Sequence, residues 1–166
     1  MDKNQQFHTV RGYKLIDQRN RQLTSAMEDY LEMIYRNILT EGYMRINILA
    51  DMLNVKPSSA TKMVQKLTEL GFLKYEKYGI IFLTEQGKKI GEFLLERHNI
   101  IEKFLGNIGI CDNLLMETEL IEHNLSSSTL KHIDLLNLYL GEHPQFLIGF
   151  EEFKQQYLRE SEIKDK

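Results

Sequence analysis

The chain has 166 residues, 42% hydrophobic and 27% charged, with one cysteine and a net charge of −3. Such a composition excludes an intrinsically disordered chain and a disulfide-built scaffold, and no apolar run approaches the roughly 18 residues of a membrane-spanning helix. The charge is unevenly spread: residues 1–90 hold 14 Lys+Arg against 10 Asp+Glu, whereas residues 91–166 hold 7 against 14. Local cations can displace counterions from a polyanion whatever the overall charge, and an acidic half suits cations instead. The polar start, Met1 to Gln6, with no signal-type apolar stretch, predicts a cytoplasmic protein.

Residues 1–23 are polar with scattered Phe7, Tyr13, Arg11, Lys14, Arg19 and Arg21, and read as a weakly ordered arm. Thr24 or Ser25 suits a helix N-cap, and Met27, Tyr30, Leu31, Ile34, Tyr35 and Ile38 then repeat at helical spacing as far as Gly42. Residues 45–55 predict a short helix that buries Ile46, Leu49, Ala50 and Leu53. A tight connection through Asn54 to Pro57 leads to a third helix, Ser58 to Leu70, with Ala60, Met63, Val64 and Leu67 inward. Residues 72–78 and 80–84, aromatic and β-branched, flank Gly79 as a hairpin. A long helix follows from Glu85 to Asn107, then helices over 113–125, up to Leu140 from a Ser126–Thr129 cap, and about 145–159 beyond Pro144.

Helix, short helix, tight turn, helix and hairpin is the order of a winged helix-turn-helix, whose helix after the turn enters the major groove. Its outward residues here are Ser58, Ser59, Thr61, Lys62, Gln65 and Lys66, hydroxyls, an amide and cations suited to bases and phosphates. Lys74, Lys77 and Tyr78 on the hairpin, and Arg45 near the start of the short helix, suit the phosphate backbone. Three further groupings carry metal-ligand chemistry. Asp29 and Glu32 share a helix face, His98 lies on the long helix, and Glu119, Glu122 and His123 present two carboxylates and an imidazole on one helical face. The bland alternative is that these are solvated helix charges, in a winged-helix regulator that answers to a small ligand or a protein partner. An enzyme is not expected: Glu-x-x-His, His-Glu-x-x-His, Gly-x-Ser-x-Gly, phosphate-loop and dinucleotide signatures are all missing.

Over residues 24–141 the chain resembles the diphtheria-toxin-repressor family, in its manganese-responsive branch, the manganese transport regulators. The likeness is carried by residues 25–32 (SAMEDYLE), 57–67 (PSSATKMVQKL), 75–78 (YEKY), 83–91 (LTEQGKKIG) and 121–125 (IEHNL). The resemblance implies a mainly α fold, with a winged helix-turn-helix DNA-binding domain (24–91) and a helical dimerisation and metal-binding domain (92–166), preceded in this chain by an N-terminal extension (1–23). It implies a homodimer on double-stranded operator DNA, no membrane association, and repression of metal-uptake genes. It also implies a closely spaced pair of ions per subunit, with ligands falling on Asp29, Glu32, His98, Glu119, Glu122 and His123. The iron-responsive branch has methionine where this chain has Asp29 and cysteine where it has Glu119. Oxygen donors there favour Mn2+, with zinc, cadmium and cobalt as in-vitro alternatives. The extension at 1–23 departs from the family's start, and the C-terminal stretch is too short for the SH3-like domain of the longer members. Metal held by both ligand groups would tie the two halves together and adapt the recognition helices to a palindromic operator.

Overall fold

In the computed structural model, which describes residues 23–164, the first apolar stripe folds as α1 (Ser25–Glu41). It buries Met27, Tyr30, Leu31 and Ile34. Gly42 ends it at φ 77, donating its N–H to the Ile38 carbonyl at 2.9 Å, a left-handed cap that glycine adopts at no steric cost. The expected extension at 1–23 lies, apart from Leu23, outside the described residues.

After α1 the chain makes a two-residue strand, β1 (Met44–Arg45), before α2 (Ile46–Met52). This departs from the sequence reading, which placed Arg45 within the short helix. Arg45 instead pairs with Ile80 across the sheet and stands at the N-cap of α2. The turn runs through Asn54 at φ 50, a conformation Asn tolerates better than most residues. It delivers the chain to α3 (Pro57–Glu69), with Pro57 in the first turn. Ala60, Val64 and Leu67 form the buried stripe of α3, and Met63 is half-buried. The hairpin follows as β2 (Leu73–Glu76), a 3-10 turn at Lys77–Gly79, and β3 (Ile80–Leu83). The strand order is β1-β3-β2, all antiparallel, with Met44 and Tyr75 both opposite Ile81 and Leu73 opposite Leu83. Alternation sends Leu73, Ile81 and Leu83 into one core with the stripes of α1, α2 and α3.

Thr84 joins the sheet to α4 (Glu85–Asn107). Its hydroxyl donates to the Gly71 carbonyl at 2.7 Å and accepts from the Gly87 N–H at 3.0 Å. Gly87 is there for space: a Cβ would lie 2.0 Å from the Phe72 carbonyl oxygen. Two units are distinguishable, one ending at Glu96 and the other beginning at Arg97, so α4 starts in the first and finishes in the second.

The second unit continues with α5 (Leu114–Glu122), α6 (Ser127–Glu142) and α7 (Pro144–Lys164). The expected Ser126 cap is present, its hydroxyl oxygen accepting the Thr129 N–H at 3.2 Å. α5 stops at Glu122, short of the expected Leu125, and α7 runs on to Lys164, beyond the expected Arg159. Ile100, Ile101, Leu105 and Leu130 are buried here, and so is Asn137 of α6. The Asn137 amide donates to the Ile100 carbonyl at 2.8 Å and accepts from the Asn107 amide at 3.0 Å, fastening α6 to α4.

Candidate metal centre and nucleic-acid interface

The turn between α2 and α3 leaves one long face of α3 in solvent. Ser58, Ser59, Lys62, Gln65 and Lys66 are exposed along it. Thr61 is half-buried, and its hydroxyl donates to the Pro57 carbonyl at 2.8 Å, so on this helix its oxygen is left to act as an acceptor. On the hairpin, Lys74 and Lys77 are exposed and Tyr78 is 92% exposed at φ 65, ψ 20. A bulky residue held in the left-handed region at a loop tip is strained, and such strain concentrates where a side chain must be presented to a partner. Arg45 is exposed on β1, its guanidinium 5.7 Å from the Tyr43 ring centre. All ten residues singled out for DNA lie in the winged unit.

The residues singled out for metal divide between the two units. On α1, Glu32 is buried although ionisable, and Asp29, three residues earlier, is exposed. Arg36, one turn further on, donates to Glu32 Oε1 from Nη2 at 2.6 Å and from Nε at 2.9 Å. In the second unit the second half of α4 meets the end of α5. His98 is buried with Nδ1 3.1 Å from Glu122 Oε2, and the other carboxylate oxygen of Glu122 lies 3.6 Å from His123 Nε2. One carboxylate and two imidazoles therefore converge, with Glu122 only 2% exposed. A buried carboxylate survives only with compensating partners, and donors of this chemistry fit a divalent first-row cation. Glu119 sits one turn before Glu122 but is exposed.

Two arginines passed over in the sequence belong to this picture. Arg97 is buried at 7% exposure, with Nη2 3.2 Å from His123 Nδ1 and 3.7 Å from Glu122 Oε1. Arg36 had a visible signal, its four-residue spacing from Glu32 on one helix. Arg97 had none, since its partners are 25 and 26 positions away.

Residues 22–81 match the family model described as iron dependent repressor, N-terminal DNA binding domain, and residues 84–146 match iron dependent repressor, metal binding and dimerisation domain. A curated relative, HTH-type transcriptional regulator MntR of Oceanobacillus iheyensis, is 49% identical over 118 residues, covering 70% of this chain and 80% of that protein. The MntR of Lysinibacillus sphaericus is 42% identical over 135 residues, covering 81% and 97%. Among solved structures, the manganese regulator SloR aligns with a TM-score of 0.61 at 27% identity, and T. acidophilum IdeR with 0.58 at 28%. The chain covers 68% and 64% of itself in these alignments but only 54% and 51% of those two longer proteins. The relatives are DNA-binding regulators, not enzymes. With both halves matched and this identity sustained over most of its length, the chain belongs to the MntR-like branch of the iron-dependent (diphtheria-toxin) repressor family, the metal-dependent transcriptional regulators.

Proposed function

We propose that this regulator is a manganese-dependent repressor that binds operator DNA as a homodimer in the cytoplasm and silences metal-uptake genes when manganese is plentiful. The observation that carries this reading is the meeting of buried His98 and Glu122 with half-buried His123, two imidazoles on one carboxylate. The proposed ligands are those three with Glu119, Asp29 and Glu32. Four carboxylates and two imidazoles make an oxygen-dominated set, which favours manganese over softer-ligand metals. The names of the relatives, MntR and the manganese regulator SloR, support the same metal.

In this reading the bound metal supplies positive charge that offsets the mutual repulsion of the carboxylates. The chain's own residues do the rest. Asp29 and Glu32 ride on the first helix of the winged unit, so their engagement bears directly on the element that packs beneath the recognition helix. Ser58, Ser59, Lys62, Gln65 and Lys66 meet base edges and phosphates in the major groove, with Thr61 as an acceptor. Arg45, Lys74, Lys77 and Tyr78 follow the phosphate backbone. The exposed apolar residues of α5 and α6, Leu115, Met116, Leu120, Leu135, Leu136, Leu138 and Tyr139, fall in the stretch matched by the family's dimerisation domain. They are the proposed dimer surface.

A mobility-shift titration of an operator fragment, with and without Mn2+, tests the reading. The expected result is tight binding only with the metal, and loss of that response in Glu122→Ala and Glu32→Ala. Either variant binding as tightly as the parent while still responding to Mn2+ would overturn it.

A further inference from the structure

We infer that Arg36 and Arg97 are resident counter-cations of the metal centre, which a divalent ion must displace or outcompete, and that they set the metal concentration at which the regulator responds. The inference rests on the ligand assignment just proposed and extends it to two residues that cannot themselves ligate. Each of the two buried carboxylates in the proposed ligand set is met by a guanidinium within its own unit. Arg36 places two donors on one oxygen of Glu32, at 2.6 and 2.9 Å. Arg97, itself buried, faces Glu122 Oε1 at 3.7 Å.

The geometry at His123 sharpens the argument. A guanidinium has only donors, so the 3.2 Å contact from Arg97 Nη2 makes His123 Nδ1 the accepting nitrogen. A neutral imidazole then carries its proton on Nε2, the nitrogen that faces Glu122 Oε1 at 3.6 Å. The lone pair of His123 Nδ1 is thus taken by a hydrogen bond from Arg97, and the Glu122 carboxylate stands within ion-pair range of the same guanidinium. Charge-assisted hydrogen bonds of this kind are roughly twice as strong as neutral ones. A retained guanidinium would also repel an incoming dication at close range, where the local dielectric is low. Each arginine therefore stabilises the metal-free protein and weakens its affinity for metal. Glutamine at either position keeps hydrogen-bond donors and removes the charge.

Calorimetric titration of Mn2+ into chelator-stripped protein is the test, with Arg36→Gln, Arg97→Gln and Arg97→Lys beside the parent. Arg36→Gln and Arg97→Gln are expected to tighten Mn2+ binding by about tenfold each, the scale of removing one nearby positive charge. Arg97→Lys keeps the charge and should stay within about threefold of the parent. Thermal unfolding supplies a second readout: without metal Arg97→Gln should melt lower than the parent, and saturating Mn2+ should raise its midpoint by more. A parent that binds no Mn2+ would sink the ligand assignment itself. A parent that binds, with folded glutamine variants that bind equally or more weakly, would sink the counter-cation role alone. Arg36 lies on an accessible helix face, so its variant decides the matter even if Arg97→Gln fails to fold.

Discussion

The two units of this regulator are held together by different chemistry. The winged unit has one apolar core, drawn from α1, α2, α3, the three strands and the start of α4, with Leu31, Ile34, Leu49, Val64, Leu67 and Ile81 fully buried. The second unit encloses fewer apolar side chains, and its buried set includes Arg97, His98, Thr118, Glu122 and Asn137. Meanwhile it leaves large apolar residues outside, such as Leu135, Leu138, Phe146 and Phe153. A unit that buries polar groups and exposes apolar ones is specified by its partners as much as by its own packing. In the proposed reading the winged unit is a platform, and the second unit is the part whose order would answer to metal and to another subunit.

The sharpest way to break this comparison is to truncate a core residue on one side and a polar residue on the other. Leu67→Ala in α3 empties space at the centre of the apolar core and should cost about 2–5 kcal/mol of unfolding free energy by denaturant titration. Saturating metal should recover little of the lost packing. A cost under 1 kcal/mol would mean that the winged unit does not stand on its core.

Asn137 provides the counterpart. Asn137→Ala strips the bonds to the Ile100 carbonyl and the Asn107 amide, and should cost about 1–3 kcal/mol, because buried partners are left unsatisfied. Asn137→Leu fills the space without restoring either bond, and is expected to be no better. If Leu rescues stability in thermal unfolding of the metal-free protein, the second unit is held by packing after all, and the contrast with the winged unit disappears.

Much of the winged unit was legible in the sequence because its signals are local. The 3.6-residue stripe of α1, the stop at Gly42, Pro57 opening α3 and the glycine between two β-rich runs each act within a few residues. What escaped was non-local. The strand at Met44–Arg45 is too short to show alternation and exists only because β3 offers an edge to pair with. In the second unit, α6 carries apolar residues around much of its circumference, Leu130 inside and Leu135, Leu136 and Leu138 outside, so periodicity could not separate a core face from an interface. The candidate ligands could be named from residue type, spacing and family likeness. The convergence of His98 with Glu122, and the guanidinium of Arg97 against both Glu122 and His123, depend on how α4 and α5 pack, which no local pattern encodes.

The smallest expected effect probes how the second unit tolerates charge away from the metal ligands. Burial pushes the Asp134 carboxyl above its usual range, and Lys103 on α4 only partly offsets this. A folded-state pKa raised above the unfolded one means that the folded protein holds the proton more tightly. The stabilising contribution is then fully present in acid and is lost as pH rises through the window between the ordinary carboxylate range and the raised folded value. Asp134→Asn mimics the protonated form at every pH. It should therefore be more stable than the parent at neutral pH, by less than either substitution above, and the two should converge in acid below the ordinary carboxylate range. Urea midpoints at those two conditions decide the sign. A variant less stable than the parent at neutral pH would show that the attraction of Lys103 outweighs desolvation. In that case Asp134 and Lys103 would work as a stabilising pair between α6 and α4.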